Sequence, residues 1–414
     1  MDVKLGYKQT DAGVIPNDWE VIKLNAACRE PLQNGLFFKP SHKGIGIKLI
    51  NVGDLYNQGL INSDVLELFD ANQNEKQRFG VKNGDIFFTR SSVVPSGIAH
   101  CNIYESCKHE DIVFDSHIIR LKPDTQKVVP SYLFRFCVAS IARKYLVSHA
   151  KTGTMTTIDQ KVLGNCPIYL PPLNEQVAIA TALSDMDDLL AAQEKLIAKK
   201  RTVKLAAMQE LLTGKRRLQG FNDAWEIKRM ADIFAITTGS SKSKFIKKGG
   251  LYWIVDMGSV STEGKLLSTK STDYSSDFLN IGDLIMPKDD IGGGNIIGKV
   301  AYIDANHKYV FGDHVYLLRA RQGYSRFLSY LINGNKTNLE LRKKVSGSAQ
   351  LGLSRKSVEE QELFFPLLTE QVAIAEVLSA MDAEIAILEQ KQAKTRALKQ
   401  GMMQELLTGR VRLV

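Results

Sequence analysis

Gly293-Gly294-Asn295-Ile296-Ile297-Gly298-Lys299 has the G-x4-G-K spacing of a loop whose amides cradle phosphate and whose lysine neutralises it. The next position must supply a hydroxyl for magnesium, and it is Val300; the preceding Pro287-Lys288-Asp289-Asp290 is not an apolar strand. A glycine-rich turn is the better account. His100, Cys101, Cys107 and His109 offer zinc's preferred ligands, but the cysteine spacing exceeds the usual two to four intervening residues and the second half of the chain has no counterpart. His117 and His314 share a context, Phe-Asp-Ser-His and Phe-Gly-Asp-His, yet neither has a Ser or Cys nucleophile in a recognisable elbow, so structural histidines are expected. No dinucleotide fingerprint is present, and catalysis has no positive signal.

Polar, basic loops are better represented, and they come in pairs. Lys39, Ser41, His42 and Lys43 in the first half answer to Ser240, Ser241, Lys242 and Lys244 in the second. Lys151, Thr152 and Thr154 answer to Ser346, Ser348 and Gln350, with Arg355 just beyond; Arg90, Ser91 and Ser92 follow one Gly-Asp turn and Lys288 follows another. Lysine and arginine neutralise phosphates, while short hydroxyl and amide side chains reach phosphates or base edges. Soluble surfaces also show such loops. A net charge of +9 suits a polyanionic partner without requiring one.

These loops must be held by a chain of 414 residues, long enough for two or three domains. Its 44% hydrophobic and 24% charged residues are globular values. No apolar run reaches the roughly 18 residues of a membrane helix, and the first residues lack a secretory core, so a cytoplasmic protein is expected. The five cysteines all lie in the first half and form no disulfide framework.

The chain is written twice. Glu175–Leu218 and Glu370–Leu413 align without a gap at an offset of 195, with 25 of 44 positions identical. Asn17-Asp18-Trp19-Glu20 is echoed by Asn222-Asp223-Ala224-Trp225-Glu226, and Gly84-Asp85-Ile86 by Gly282-Asp283-Leu284. Between the echoes the halves diverge, so each is a variable block followed by a nearly constant one. The constant blocks read as long helices, with Asn174 and Thr369 as N-caps and Gly214 and Gly409 as left-handed ends. Thirty-nine residues would make a rod of about 58 Å. Leu183, Met186, Leu190 and Ile197 in one, and Leu378, Met381, Ile385 and Leu388 in the other, form a heptad-like seam that weakens near Gln193, Lys200, Gln392 and Thr395. Neither helix can bury its stripe alone, so the two are expected to pack together; packing of each on its own domain is the alternative.

The variable blocks read as mixed α/β, with strands at 47–52, 85–89, 112–121, 168–170, 252–255, 284–286, 296–303 and 314–318 and helices near 131–148 and 325–345. The expected fold is α/β (mixed): two globular domains, 1–172 and 219–365, separated by a pair of long coiled-coil helices, 173–218 and 366–414, with an internal pseudo-two-fold repeat.

Met208-Gln209-Glu210-Leu211-Leu212-Thr213-Gly214-Lys215, the following Arg217-Leu218-x-Gly220-Phe221-x3-Trp225-Glu226, and the helix entries Pro171-Pro172-Leu173-Asn174-Glu175-Gln176 and Pro366-Leu367-Leu368-Thr369-Glu370-Gln371 resemble the specificity (S) subunits of type I restriction–modification systems. The resemblance covers essentially the whole chain. It implies two target-recognition domains, each reading one half of a split site on double-stranded DNA, and antiparallel helices that fix the spacing and dock two methyltransferase (M) subunits; because Pro287-Lys288-Asp289-Asp290 does not match Thr89-Arg90-Ser91-Ser92, an asymmetric site is expected. Docking would use the polar helix faces and the repeated MQELLTG segments, including Met208, Glu210, Met403 and Glu405. It implies no catalysis and no cofactor on this chain: S-adenosylmethionine, ATP and Mg2+ would serve partner M and restriction (R) subunits, and no membrane is involved. The rival is a structural scaffold with duplicated helices and no DNA recognition, which leaves the basic loops unexplained.

Overall fold

The computed structural model describes residues 5–11, 13–37, 40–57, 59–106, 108, 110–347 and 351–413. Lys39, Cys107, His109, Ser348 and Gln350 therefore lie outside the described residues. The chain divides into two units, one of residues 1–193 with 391–414 and one of residues 194–390. This differs from the linear division expected from sequence. Each unit owns a variable block, the first part of the helix that follows it, and the last part of the other long helix.

The reason is where the apolar stripes go. In the first unit, Ile179, Ala180 and Leu183 of the first long helix (Leu173–Leu211) and Leu406 and Leu407 of the second (Leu368–Leu406 and its last turn) join Trp19, Leu133 and Phe136 in one core. In the second unit, Ile374, Ala375 and Leu378 join Leu211, Leu212, Phe234 and Phe327. The seam is thus shared between two uses. Leu183 and Leu378 are buried in domain cores, Ile197 and Ile385 are buried farther along, and Met186, Leu190, Met381 and Leu388 are half-buried.

Within each unit the helix segments run antiparallel. In the second, Lys200 pairs with Glu384 and Lys204 with Asp382, each at 2.6 Å, so the numbering rises in one helix as it falls in the other. In the first, Lys399 pairs with Asp187, and Gln193 Nε2 donates to Thr395 Oγ1 at 3.1 Å. Both of these last residues are buried, so the seam weakens there because it carries a polar layer. The helices begin at Leu173 and Leu368, which places Asn174 and Thr369 inside the first turn, not at the N-cap. Gly214 and Gly409 both have φ of +70°, the left-handed end expected of them.

Each variable block folds on one plan. The first unit has a four-stranded antiparallel sheet ordered Gln33–Asn34, Ile118–Leu121, Ile86–Thr89, Cys101–Ile103; the second has Phe234–Thr238, Val315–Ala320, Leu284–Pro287, Ala301–Tyr302. A three-stranded sheet accompanies each, centred on Lys43–Ile50 or Tyr252–Val255, with one parallel neighbour (Ile112–Phe114 or Tyr309–Phe311). The run 112–121 is thus two strands in different sheets, parted by a turn at Asp115-Ser116-His117, and 296–303 yields only Ala301–Tyr302. The expected single helices are each two: Pro130–Val138 and Ser140–Ser148 break at extended Ala139, and Ser325–Asn333 and Asn335–Lys343 break at extended Gly334. The Gly-Asp echoes prove to be turns. Gly84 and Gly282 have φ near +90°, and the Asp85 and Asp283 carboxylates accept from the amides of Lys82 and Asn280 at 2.9 and 2.8 Å.

Candidate nucleic-acid interface

Two loops distant in sequence meet at one tip of the first unit. Ser91–Ser92 pairs with Thr156–Thr157, which pairs in turn with Lys151–Thr152, so Arg90, Ser91 and Ser92 share a small sheet with Lys151 and Thr152. Thr154 sits exposed in the hairpin turn. The Arg90 backbone is fixed on both sides: its amide donates to His117 O at 2.8 Å and its carbonyl accepts from Ile158 N at 3.0 Å. Its guanidinium is exposed and makes no hydrogen bond or ion pair among the described residues, while Lys151 reaches Asp159 only at 3.5 Å in an exposed pair. A cation and several hydroxyls are thereby offered to solvent from a hydrogen-bonded backbone.

The second unit repeats the construction with different side chains. Asp289–Asp290 pairs with Leu351–Gly352, and Ser346 bridges to Gly352, so Lys288 and Ser346 are brought together. Lys288 N donates to His314 O at 2.9 Å and Lys288 O accepts from Leu353 N at 2.9 Å, matching Arg90 bond for bond. Arg355 is exposed and paired with Glu359 at 2.7 Å. His117 and His314 are both exposed, and in each unit the histidine carbonyl pins the cation's backbone. His314 also lies 2.8 Å from Asp289, with a φ of +59°.

The other pair of loops lies elsewhere in the topology, next to the three-stranded sheets. Ser41 is exposed, His42 Nδ1 lies 3.0 Å from Asp70 O, and Lys43 pairs with Glu67 at 3.1 Å. Ser240, Ser241 and Lys244 are exposed, but Lys242 needs correction as a DNA contact. Its side chain is 4% exposed, donates to Ser240 Oγ at 2.7 Å and pairs with Asp277 at 2.8 Å, whose carboxyl it holds below the usual range. The lysine is spent inside the domain. Lys299 of the glycine-rich run likewise turns inward to donate to Asn333 O at 3.1 Å, and burial lowers its pKa.

The repeated helix-entry motif has a structural explanation. Glu175, buried, accepts from Trp19 Nε1 at 2.9 Å and from Arg412 Nε and Nη2 at 2.6 and 2.7 Å. Glu370, equally buried, accepts from Trp225 Nε1 at 2.9 Å and from Arg217 Nε and Nη2 at 2.5 and 2.7 Å. The adjoining Gln176 and Gln371 satisfy the helix entries: Nε2 donates to Pro171 O or Pro366 O, and Oε1 accepts from Val129 N or Tyr324 N. Met208 and Met403 are half-buried and pack against the cores of their own units. Glu210 and Glu405 are partly exposed, beside Arg216 at 3.6 Å and Arg410 at 3.2 Å.

The family model for the type I restriction modification DNA specificity domain matches residues 16–199 and again 222–396. The chain belongs to this family. It is a type I specificity subunit with two target-recognition domains, and the two matches fall on the two halves of the repeat. Over 434 residues it is 27% identical to a protein of Methanocaldococcus jannaschii named as the type I restriction enzyme MjaX specificity subunit, covering 98% of this chain and 97% of that one. It is 23% identical to the MjaVIII specificity subunit of the same organism over 441 residues, covering 98% and 96%. Among solved structures, the S subunit of the type I system from M. genitalium superposes with a TM-score of 0.58 at 14% identity, covering 98% of this chain and 99% of that one. A chain from a study of complex assembly and conformational transition in the type I R-M system gives 0.59 at 15% identity, covering 96% and 99%. The specificity subunit's fold is therefore that of the family's known structures.

Proposed function

We propose that each target-recognition domain reads one half of a split DNA site through the tip that carries Arg90 or Lys288. The observation that carries this reading is the same backbone frame built twice around different side chains, Arg90-Ser91-Ser92 in one unit and Lys288-Asp289-Asp290 in the other. Of these, Ser92 and Asp290 are buried, and the side chains left to differ are Arg90 with Ser91 against Lys288 with Asp289; a hydroxyl donates and accepts whereas a carboxylate only accepts, so the two half-sites differ and the target is asymmetric. The paired helices set the separation of the half-sites and dock two methyltransferase subunits, with restriction subunits joining the full complex. Val203 and Leu398 occupy matching positions of the two helices and are both about half exposed, which supports recruitment of two copies of one partner. This chain positions DNA and carries no chemistry or cofactor of its own. S-adenosylmethionine serves adenine methylation on the partner methyltransferase, and ATP and Mg2+ serve the restriction subunits. No helix among the described residues is long and apolar enough to cross a membrane, which is compatible with work on cytoplasmic DNA.

The test is modification mapping of DNA from cells expressing this chain with its methyltransferase, read by single-molecule sequencing. The expected result is one split motif with methyladenine in both halves and a constant gap. A soluble complex that leaves no modified motif would overturn the reading in favour of an assembly scaffold.

A further inference from the structure

At each tip, the residue after the short strand is a large aliphatic side chain standing in solvent. Val93 is 81% exposed and Ile291 is 70% exposed. They are equivalent by register: Val93 follows Ser91–Ser92, and Ile291 follows Asp289–Asp290. The turns that display them open with the same bond, from the amide two residues on to the side chain that precedes the aliphatic residue. Ser92, buried, accepts from Val94 N at 3.3 Å on Oγ; Asp290, buried, accepts from Gly292 N at 2.5 Å and from Ile296 N at 3.2 Å. A buried polar side chain thus closes the loop beneath the aliphatic one and leaves it facing outward. In the first unit Val94 and Met155 extend the apolar tip. Arg90, without a side-chain partner among the described residues, lies three residues before Val93, and Lys288 three residues before Ile291.

Exposing an aliphatic side chain on a turn braced in this way has no benefit to the isolated domain. In the first unit, exposed Arg90 three residues from Val93 favours a polyanion over an apolar protein groove, and the matching backbone frame extends that reading to Lys288 and Ile291. On DNA, the one apolar group that distinguishes a base edge in the major groove is the thymine 5-methyl. We propose that Val93 and Ile291 each read a thymine methyl, one in each half-site, while Arg90 and Lys288 hold the adjacent phosphates. This rests on the DNA-reading role given above and names how one base in each half is chosen.

The experiment uses the complex of this chain with its methyltransferase on duplexes carrying the mapped motif. Each thymine is replaced in turn by uracil, which removes only the methyl, and affinity is read by fluorescence anisotropy. Loss of one buried methyl should weaken binding about fourfold at one thymine in each half-site. Val93→Ser should abolish that sensitivity in one half-site and Ile291→Ser in the other, and both side chains are exposed enough for the fold to tolerate the change. The proposal is overturned if no thymine-to-uracil change alters wild-type affinity, or if the variants keep the same sensitivity. It is also overturned if either variant loses the methyltransferase on size exclusion, which would make the tip a protein contact. Failure of the wild-type complex to bind any split motif would refute the DNA-reading role itself, a separate outcome.

Discussion

Arg412 grips Glu175 with both Nε and Nη2, at 2.6 and 2.7 Å, although 237 residues separate them. The same guanidinium reaches Asp18 at 3.0 and 2.7 Å, and its charge and hydrogen bonds hold the Asp18 carboxyl below the usual range. The end of the second helix thereby completes the first unit, as Arg217 completes the second through Glu370. Because Glu175 is buried, removing its partner leaves a carboxylate uncompensated. Arg412→Ala should destabilise the first unit by about 3 kcal/mol, and Arg217→Ala the second by a similar amount. Hydrogen exchange, which resolves the two units, measures each loss; protection unchanged in the first unit on Arg412→Ala would show that the clamp is dispensable.

Exchange of residues 20–165 for the corresponding block of another family member should change one half of the methylated motif and leave the other intact. The two variable blocks have separate cores, so neither needs the other to form its tip. Methylome sequencing of the chimaera reads the outcome, and a change in both halves would contradict independent reading.

Phosphate contacts release counterions, so affinity should fall steeply as salt rises from about 50 to 200 mM. Arg90→Ala should reduce the slope of log affinity against log salt by about 1. Lys242→Ala should leave that slope unchanged, because its ammonium is already paired with Asp277. Equal effects from the two variants would mean that Lys242 leaves its ion pair on binding.

Val203→Asp and Leu398→Asp should each cost the complex one methyltransferase subunit while the chain's melting temperature stays within a few degrees, since both side chains are exposed. Mass photometry counts the subunits; full occupancy in the double variant would place docking elsewhere.

Asp85 gives the first unit a pH dependence. Burial pushes its carboxyl up to about 6, against the opposing pull of the Lys82 amide and Arg120. An unfolded aspartate titrates near 3.9, so the folded unit holds a proton that the unfolded chain has lost between those values. The stabilisation from that proton is complete below about 3.9 and is lost as pH rises through about 6, by an amount on the order of 3 kcal/mol. Asp85→Asn keeps an acceptor for the Lys82 amide and should flatten the dependence over that window. Urea titrations at pH 5 and 7 test it, and parallel curves for the two proteins would refute it.

The sequence alone determined the duplication, the two long helices and the family, because those features are written locally: identical residues at a fixed offset, an apolar period, glycine stops. Even the mixed strands of the variable blocks could be read from β-branched runs between turn residues, though 112–121 hid two strands of different sheets. Tertiary structure alone decided which loops meet. Nothing in the spacing of Arg90 and Lys151 says that Thr156–Thr157 will pair with Ser91–Ser92 and bring them together. Nor could composition show that Lys242 is buried against Asp277 while Arg90 is exposed, since an identical ammonium or guanidinium serves either role. The apolar stripe was likewise legible but its destination was not. A stripe records that something must cover it, and only packing revealed that Leu183 and Leu378 go to domain cores while Ile197 and Ile385 are buried farther along the helices.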